Sequence, residues 1–182
     1  MADNLGARVA DLVETNLRLV PNFPEEGVLF RDATPLFANG TAFAEMINLL
    51  AARYQGRVDM VAGLESRGFI LAAPLAARLG IGMIAVRKAG KLPGPVIGVD
   101  YDLEYGSARL EVQPESVPKG TRVLILDDVL ATGGTARASV DLLEACGATI
   151  VEVAVLLELV DLGGQEAISD VPFASAVEVH EN

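Results

Sequence analysis

The sequence predicts an α/β fold, in which a single domain is built on a central, mainly parallel sheet with helices on both faces. Three observations support this expectation. Short apolar runs alternate with helix-like stretches along most of the chain, and strands that alternate with helices form parallel sheets through right-handed crossovers. The 182 residues suit one domain of ordinary size. Hydrophobic residues make up 51% of the chain, which is enough for a sizeable core.

The N-terminal part is predicted to begin with an amphipathic helix. Apolar residues recur at helical spacing over residues 5–17, and Pro21 and Pro24 end the helix. We expect residues 22–39 to be irregular. The next four elements alternate between helix and strand, at residues 41–54, 58–64, 66–79 and 81–86.

The C-terminal part is predicted to start with a glycine- and proline-rich loop at residues 88–98 and two strands within residues 99–112, joined near Gly106. Strand, helix and strand follow at residues 122–126, 136–145 and 149–159. A last helix and a strand at residues 174–179 complete the chain. Ligands of such sheets bind beyond the carboxyl ends of the strands, so the polar residues found there are candidates for a site.

The most informative segment lies at one of these strand ends, and its sequence from residue 123 to residue 135 is VLILDDVLATGGT. Its apolar start is predicted to be a buried strand that leads into two acids, Asp127 and Asp128. Because side chains alternate across a strand, the two carboxylates point in opposite directions and can reach different hydroxyl groups. This arrangement suits the diol of a ribose.

The loop after these acids has the composition of a phosphate-binding loop. Gly133 and Gly134 allow the backbone to approach an anion closely, and Thr132 and Thr135 add hydroxyl donors. We expect Thr135 to cap the next helix, whose free N–H groups and positive dipole end favour a phosphate. The paired acids and this loop together predict a site for a ribose phosphate.

Two further segments are candidates for anion binding. In the first, Ser66 can cap a helix, while Arg67 and the neighbouring N–H groups form an anion pocket beside Glu65. The second carries three basic residues within five positions: Arg87, Lys88 and Lys91. Taken alone, these segments are typical of a helix cap and a solvated turn. Beside the acid pair, they predict a second anion site and added positive charge over it.

The segment from residue 123 to residue 135 resembles the motif that binds 5-phosphoribosyl 1-pyrophosphate (PRPP) in the type I phosphoribosyltransferase family. The resemblance implies that family's fold, as one domain over residues 1–182 with a small N-terminal hood near residues 21–39 and a flexible β-hairpin flap near residues 88–112. It implies that Asp127 and Asp128 are catalytic and hold the ribose hydroxyls. The 5′-phosphate would contact Ala131, Thr132, Gly133, Gly134 and Thr135. The pyrophosphate would contact Glu65, Ser66, Arg67, Arg87, Lys88 and Lys91.

Another segment, YDLEYG at residues 101–106, resembles the adenine-specific branch of this family, as does the preceding RKAGKLPGP. The resemblance implies that the flap, which includes Tyr105, closes over the substrates. Closure would exclude water, which otherwise hydrolyses PRPP. It also makes Glu104 a candidate catalytic base or acid for N7 of the purine.

The segment FPEEGVLFRDATP at residues 23–35 resembles the hood of the same branch. The resemblance implies that Arg31 binds the edge of adenine through its main-chain N–H and C=O groups. Leu29 and Val129 would sandwich the ring. Phe30 would be either a base contact or a core residue.

Taken together, the resemblance implies an enzyme of purine salvage, a glycosyltransferase (pentosyltransferase) that converts adenine and PRPP into AMP and pyrophosphate. It implies Mg²⁺, bound mainly through oxygens of PRPP and pyrophosphate and not at a metal site of the protein, and a homodimer. One alternative is a phosphoribosyltransferase for another base, such as hypoxanthine, guanine or xanthine. A less favoured alternative is a regulatory protein that binds PRPP.

Composition argues against several other classes of protein. A net charge of −11 disfavours binding to a nucleic acid. The apolar runs are too short for a membrane span. The one cysteine, Cys146, excludes an internal disulfide and a metal site built from cysteines. The N-terminal stretch lacks the apolar core of a signal peptide. These features predict a cytoplasmic protein without a membrane or nucleic-acid partner.

Overall fold

The computed structural model describes residues 3–102 and 107–180. Within those residues the chain forms ten strands and six helices. The strands are β1 (Asp3–Asn4), β2 (Arg18–Pro21), β3 (Leu29–Asp32), β4 (Met60–Leu64), β5 (Gly82–Lys88), β6 (Ile97–Asp102), β7 (Ser107–Val112), β8 (Arg122–Leu130), β9 (Thr149–Leu159) and β10 (Phe173–Val179). The helices are α1 (Ala7–Asn16), α2 (Thr34–Ala38), α3 (Gly40–Tyr54), α4 (Arg67–Leu79), α5 (Gly134–Ala145) and α6 (Gly164–Ala167).

Eight of the described strands form one sheet, in the order β1-β10-β9-β8-β4-β5-β7-β6. The pairs from β1 to β5 are all parallel, whereas β7 pairs antiparallel with both β5 and β6. The prediction of a mainly parallel sheet flanked by helices is therefore confirmed. The antiparallel edge arises because β6 and β7 form a hairpin, which needs no crossover helix.

Two hydrophobic clusters cover the two faces of the sheet. Helices α1, α3 and α4 pack on one face and α5 packs on the other. Strand β8 contributes alternately to both, because Leu124 and Leu126 belong to the first cluster while Val123 and Ile125 belong to the second. All four side chains are fully buried. The strand that leads to the acid pair is thus held rigidly between two layers of helices.

The ends of several elements differ from the predicted ones, and the difference matters around the acids. Strand β8 continues to Leu130, so Asp127 and Asp128 lie within the strand and not after it. Helix α5 begins at Gly134, with Gly133 at the N-cap position, so Thr135 lies in the first turn and does not cap the helix. The apolar Val129 and Leu130 extend the pairing with β9 beyond the acids.

Part of the segment expected to be irregular, residues 22–39, is ordered. Strands β2 and β3 form a separate antiparallel ribbon, and α2 follows directly. Asp32 connects the two parts, since its carboxylate accepts hydrogen bonds from the Thr34 N–H at 2.9 Å and from Arg18 at 2.6 Å. Side chains of this ribbon are largely exposed, as Leu29 and Leu19 illustrate. They give little of the periodic burial pattern from which strands are predicted.

Candidate active site

The candidate residues converge where β4 and β8, which are adjacent and parallel, reach their carboxyl ends. The Glu65–Ser66 turn and the start of α4 follow β4, and the glycine loop follows β8. A cavity of about 430 Å³ opens between them. It is lined by Glu65, Ser66, Arg67, Lys88 and the whole segment 127–136. The structure therefore brings both candidate anion-binding segments and the acid pair to one cavity.

The two acids face opposite sides of β8, as their alternation predicts. Asp128 is almost fully buried and forms an ion pair with Arg67, at 3.0 Å between Nη1 and Oδ2. Asp127 lies on the other face, and its Oδ1 accepts the backbone N–H of Asp128 at 2.9 Å. The carboxylates are thus held by different partners, so each can present an oxygen to a different hydroxyl group of a ligand.

Burial controls the charge of this acid pair. Desolvation, followed by the nearby charge of Asp128, raises the pKa of Asp127 well above that of an ordinary aspartate. Desolvation also raises the pKa of Asp128, although the positive charge of Arg67 opposes the shift. A ligand that supplies hydrogen-bond donors or positive charge between the two carboxylates would stabilise their ionised forms.

The glycine loop is shaped to expose the amino end of α5. Gly133 has a left-handed conformation, with φ of 83°, and a Cβ there would lie 2.8 Å from the Cβ of Ala167. No side chain caps α5, so its first N–H groups are available to an anion. Thr135 does not cap the helix, but its hydroxyl still lies at the cavity, 3.5 Å from the hydroxyl of Tyr101.

On the other side of the cavity, Glu65 is surrounded by hydrogen-bond donors. Arg87 binds it through Nη2 at 3.1 Å and Nε at 3.3 Å, and the Lys88 N–H donates to it at 2.9 Å. The hydrogen bond from Arg87 is the largest cause of the lowered pKa of Glu65. Lys88 lines the cavity, whereas Arg87 and the exposed Lys91 lie outside it. Glu65 therefore organises the basic residues around it.

The hood residues stand apart from the cavity, apart from one contact. The guanidinium of Arg67 lies over the ring of Phe30, at 5.3 Å from its centroid. Leu29 is 43% exposed on β3, and Arg31 is the next-but-one residue of the same strand. Val129, on the opposite side, lines the cavity. A planar ligand that bridged Val129 and the ribbon would cover apolar surface on both sides.

Glu104 and Tyr105 lie outside the described residues, so their predicted roles in a flap stay predictions. The strands of the hairpin on either side of them pack against α5. Tyr101, Ala108 and Leu110 of this hairpin line the cavity and were not singled out from the sequence. Apolar residues of a hairpin are usual in any sheet, so only the proximity of Tyr101 to the glycine loop reveals the contact.

The donor set of the site was compared with what a divalent cation requires. The described residues hold no group of three or more His, Cys, Asp and Glu side chains that could bind a metal. Asp127 and Asp128 provide hard oxygen atoms beside the cavity, which suit Mg²⁺ only when a ligand and water complete its octahedral shell. The residues therefore fit a Mg²⁺ ion that enters with a phosphorylated ligand.

The sequence matches a family of known proteins over most of its length. Residues 32–171 match the family model described as the phosphoribosyl transferase domain. An adenine phosphoribosyltransferase of Roseiflexus sp. (strain RS-1) is 51% identical over 171 residues, which cover 93% of this chain and 97% of that protein. The adenine phosphoribosyltransferase of Thermobifida fusca (strain YX) is 52% identical over 164 residues, covering 90% and 93%.

Solved structures agree with these relatives. The adenine phosphoribosyltransferase of Saccharomyces cerevisiae, in complex with an imino-altritol bisphosphate and adenine, matches with a TM-score of 0.90 and 38% identity, over 94% of this chain and all of that chain. The enzyme of Trypanosoma brucei, in complex with AMP, pyrophosphate and ribose-5-phosphate, matches with a TM-score of 0.84 and 30% identity, over 93% and 79%. The fold and the sequence thus point to the same group of proteins.

Proposed function

Since the chain belongs to the phosphoribosyl transferase family and, within it, to the adenine phosphoribosyltransferases, we propose that its cavity transfers the phosphoribosyl group of PRPP to adenine. Membership of this family makes the chain an enzyme of the pentosyltransferase class. The products of the reaction are AMP and pyrophosphate. The observation that carries the proposal is the acid pair of β8 between two anion-binding segments, inside one cavity.

In the proposed complex, the ribose of PRPP lies across the end of β8. Asp127 and Asp128 accept hydrogen bonds from its 2′- and 3′-hydroxyls, one from each face of the strand. The 5′-phosphate binds the glycine loop and the amino end of α5, where Thr132 and Thr135 donate their hydroxyls. The negative charge of the carboxylates lies close to the ring carbon that develops positive charge during the reaction.

The pyrophosphate leaves on the side of Arg67 and Lys88. As the bond from C1 to the pyrophosphate oxygen breaks, the electron pair leaves with that oxygen, and the two cations and the Ser66 backbone stabilise it. Purine N9 then forms the new bond to C1. Arg87 and Lys91 add positive charge from outside the cavity, while Glu65 keeps Arg87 in place.

The adenine ring is proposed to lie between Val129 and the β2–β3 ribbon. Leu29 covers its second face, Phe30 forms an edge of the pocket, and the main chain of Arg31 reads N1 and the 6-amino group. Glu104 exchanges a proton with N7. Holding N9 close to C1 supplies much of the acceleration, because it replaces a bimolecular encounter by a fixed geometry.

Three further parts of the proposal concern the setting of this reaction. Mg²⁺ accompanies the pyrophosphate group and neutralises part of its charge, with Asp127 and Asp128 as the nearest protein oxygens. The enzyme acts as a homodimer in the cytoplasm, in the salvage of purines. Sedimentation equilibrium on the purified protein tests the dimer, and a monomer at micromolar concentration would contradict it.

The reaction is tested with a panel of bases, in which adenine, hypoxanthine, guanine, xanthine and orotate are each supplied with PRPP and Mg²⁺. Release of pyrophosphate and formation of the nucleotide are both measured. We expect rapid turnover of adenine and little of the others, because the ribbon offers no side chain positioned as a donor to a 6-oxo group. Preference for a 6-oxopurine would overturn the choice of base. Tight PRPP binding without turnover of any base would indicate a regulatory protein.

A further inference from the structure

The turn that follows β5 carries Lys91 and is fastened to the neighbouring hairpin. We refer to residues 87–95 as the basic loop. The N–H of Ala89 donates to the carbonyl of Arg109 at 3.0 Å, and the N–H of Gly90 donates to Oε2 of Glu111 at 2.9 Å. Further along, the side chain of Gln113 donates to the carbonyl of Pro93 at 2.8 Å. Strand β7 therefore holds the basic loop at three successive points.

Glu111 is the charged member of this attachment. It is only 8% exposed, and it pairs directly with Arg87 in the ladder between β5 and β7. Its second oxygen accepts a hydrogen bond from Nε of Arg109 at 3.4 Å. It does not line the cavity, so the proposed reaction gives it no chemical role. A buried carboxylate bound to a backbone N–H of a turn is suited to fixing the position of that turn.

The other side of the basic loop is fastened to the cavity wall. Arg87 donates to the carbonyl of Lys91 at 3.1 Å and also forms the ion pair with Glu65. Glu65 in turn lines the cavity. Hydrogen bonds therefore run from the cavity wall through Arg87 and the basic loop to Glu111 on the hairpin.

From these contacts we infer that Glu111 is a positioning residue, which fixes the basic loop on the β6–β7 hairpin and so couples pyrophosphate binding to the placement of that hairpin. The inference rests on the proposed function for the identity of the ligand. Lys88 and Lys91 lie on either side of Gly90, so a turn released from Glu111 would spread their positive charge over many positions. The leaving group would then be bound less well, while the ribose and base contacts stay in place.

Hydrogen exchange tests the attachment without any ligand. We expect Glu111→Ala to raise the exchange rate of peptides covering residues 88–93 at least about tenfold, since Gly90 loses a charge-assisted hydrogen bond. Glu111→Gln, which keeps an acceptor for Gly90, should lie between the wild type and Glu111→Ala. Glu144→Ala is the matched control, because this exposed glutamate of α5 lies away from the basic loop. Unchanged exchange in Glu111→Ala would overturn the inference, whether or not the enzyme is active.

Ligand binding tests the coupling. Magnesium pyrophosphate and AMP are titrated separately into the same proteins by calorimetry. AMP is the control ligand because it fills the ribose, phosphate and base contacts but not those of the leaving group. We expect Glu111→Ala to weaken pyrophosphate binding about tenfold and to change AMP binding less than twofold. Equal losses for both ligands, or no loss for either, would overturn the coupling. A wild type that binds neither ligand would contradict the proposed function, and hydrogen exchange would still decide whether Glu111 holds the loop.

Discussion

Arg67 is the residue that joins the three parts of the site. Its guanidinium binds Asp128 of the acid pair, lies over Phe30 of the ribbon and begins the helix that follows the first anion-binding segment. One cation cannot satisfy all of these partners and a phosphate equally well. An incoming anion is therefore expected to compete with Asp128 for Arg67, which leaves a carboxylate oxygen free for a ribose hydroxyl.

The role of the acid pair is tested by Asp128→Asn. This change removes a negative charge beside the reacting carbon and one acceptor for the ribose diol, so we expect turnover to fall at least about a hundredfold. Steady-state kinetics with adenine and PRPP measure the loss. Asp170→Asn, at an exposed aspartate that pairs with Arg137, should keep wild-type turnover. Near-normal activity of Asp128→Asn would show that the ribose lies elsewhere.

The protonation of Asp127 has a consequence for stability. Its pKa is raised to about 8, from 3.8, so the folded protein binds this proton more tightly than the unfolded chain does. The resulting stabilisation is complete below about pH 4 and is lost as the pH rises towards 8. We therefore expect the unliganded wild type to lose stability, relative to Asp127→Asn, between pH 5 and pH 8. Urea unfolding of both proteins measures the difference, and parallel pH profiles would contradict it.

Local patterns were sufficient for the acids and glycines, because the chemistry of a ribose phosphate site depends there on adjacent residues. They were insufficient for the fixing of the basic residues. Arg87 was expected to bind an anion directly, yet its guanidinium is held by Glu65, 22 positions earlier in the chain. Glu111 gave no signal at all, since a single glutamate in an alternating strand is typical of a solvated face. Such pairings depend on which strands lie side by side.

At the scale of elements, the close contact between α4 and β8 determines where the cavity lies. Gly68 in the first turn of α4 faces the backbone of β8, and a Cβ there would lie 2.6 Å from the Leu126 carbonyl oxygen and 3.1 Å from Oδ1 of Asp127. The helix can therefore start immediately beside the acids. This approach is what allows Arg67 to reach Asp128 from the adjacent position in the chain.

This contact is tested by Gly68→Ala. The added methyl group would push α4 away from β8, so we expect a loss of about 1–3 kcal/mol in the free energy of unfolding and a weaker affinity for PRPP. Gly40→Ala is the matched control, because a Cβ at Gly40 has no atom within 4 Å and the residue is also helical. Wild-type stability and affinity in Gly68→Ala would mean that the two elements can separate without cost.

The long elements were predicted well, because their burial repeats with the period of a helix or a strand. Strand β9 has the predicted bounds, Thr149–Leu159, and α3 begins one residue before the predicted start. The β2–β3 ribbon was missed because its strands are four residues long and mostly exposed. Strand β8 was predicted too short, since acids rarely continue a buried strand and only the pairing with β9 keeps them there.

Across the whole molecule, the sheet has a second polar cluster near the start of β9, away from the carboxyl ends that form the cavity. The hydroxyl of Tyr54 donates to Glu152, which is buried, and Arg53 also binds this carboxylate. Arg53 donates as well to the Asn4 carbonyl, at 3.2 Å. The cluster thus joins α3, β9 and β1. We assign it to stability and not to the reaction.

Tyr54→Phe separates these two roles. Removing the hydroxyl leaves the buried Glu152 with one donor fewer, so we expect the free energy of unfolding to fall by about 1–3 kcal/mol. Turnover and the affinity for PRPP should stay unchanged, because Tyr54 is absent from the cavity wall. Urea unfolding and steady-state kinetics on the same preparation measure both. Lost turnover at normal stability would place this cluster in the reaction after all.

The alternation of strands and helices was enough to predict the parallel sheet and the edge at which the site forms. It did not predict the order of the strands, because adjacency in a sheet is decided by packing between distant segments. The described helices include none that is long and apolar enough to span a bilayer. The antiparallel placement of β7 beside β5 could not be derived from the sequence either, and it brings the basic loop next to Glu111.

The two-residue strand β1 pairs in parallel with β10, through Asp3 with Ala174 and Asn4 with Ser175, and the Leu5 N–H adds a bond to the Ser175 carbonyl. Strand β10 would otherwise be an outermost strand of largely apolar residues, a template on which other chains can assemble. The first few residues thus protect the protein from aggregation. A variant lacking residues 1–5 should therefore scatter light at concentrations where the full chain stays dispersed.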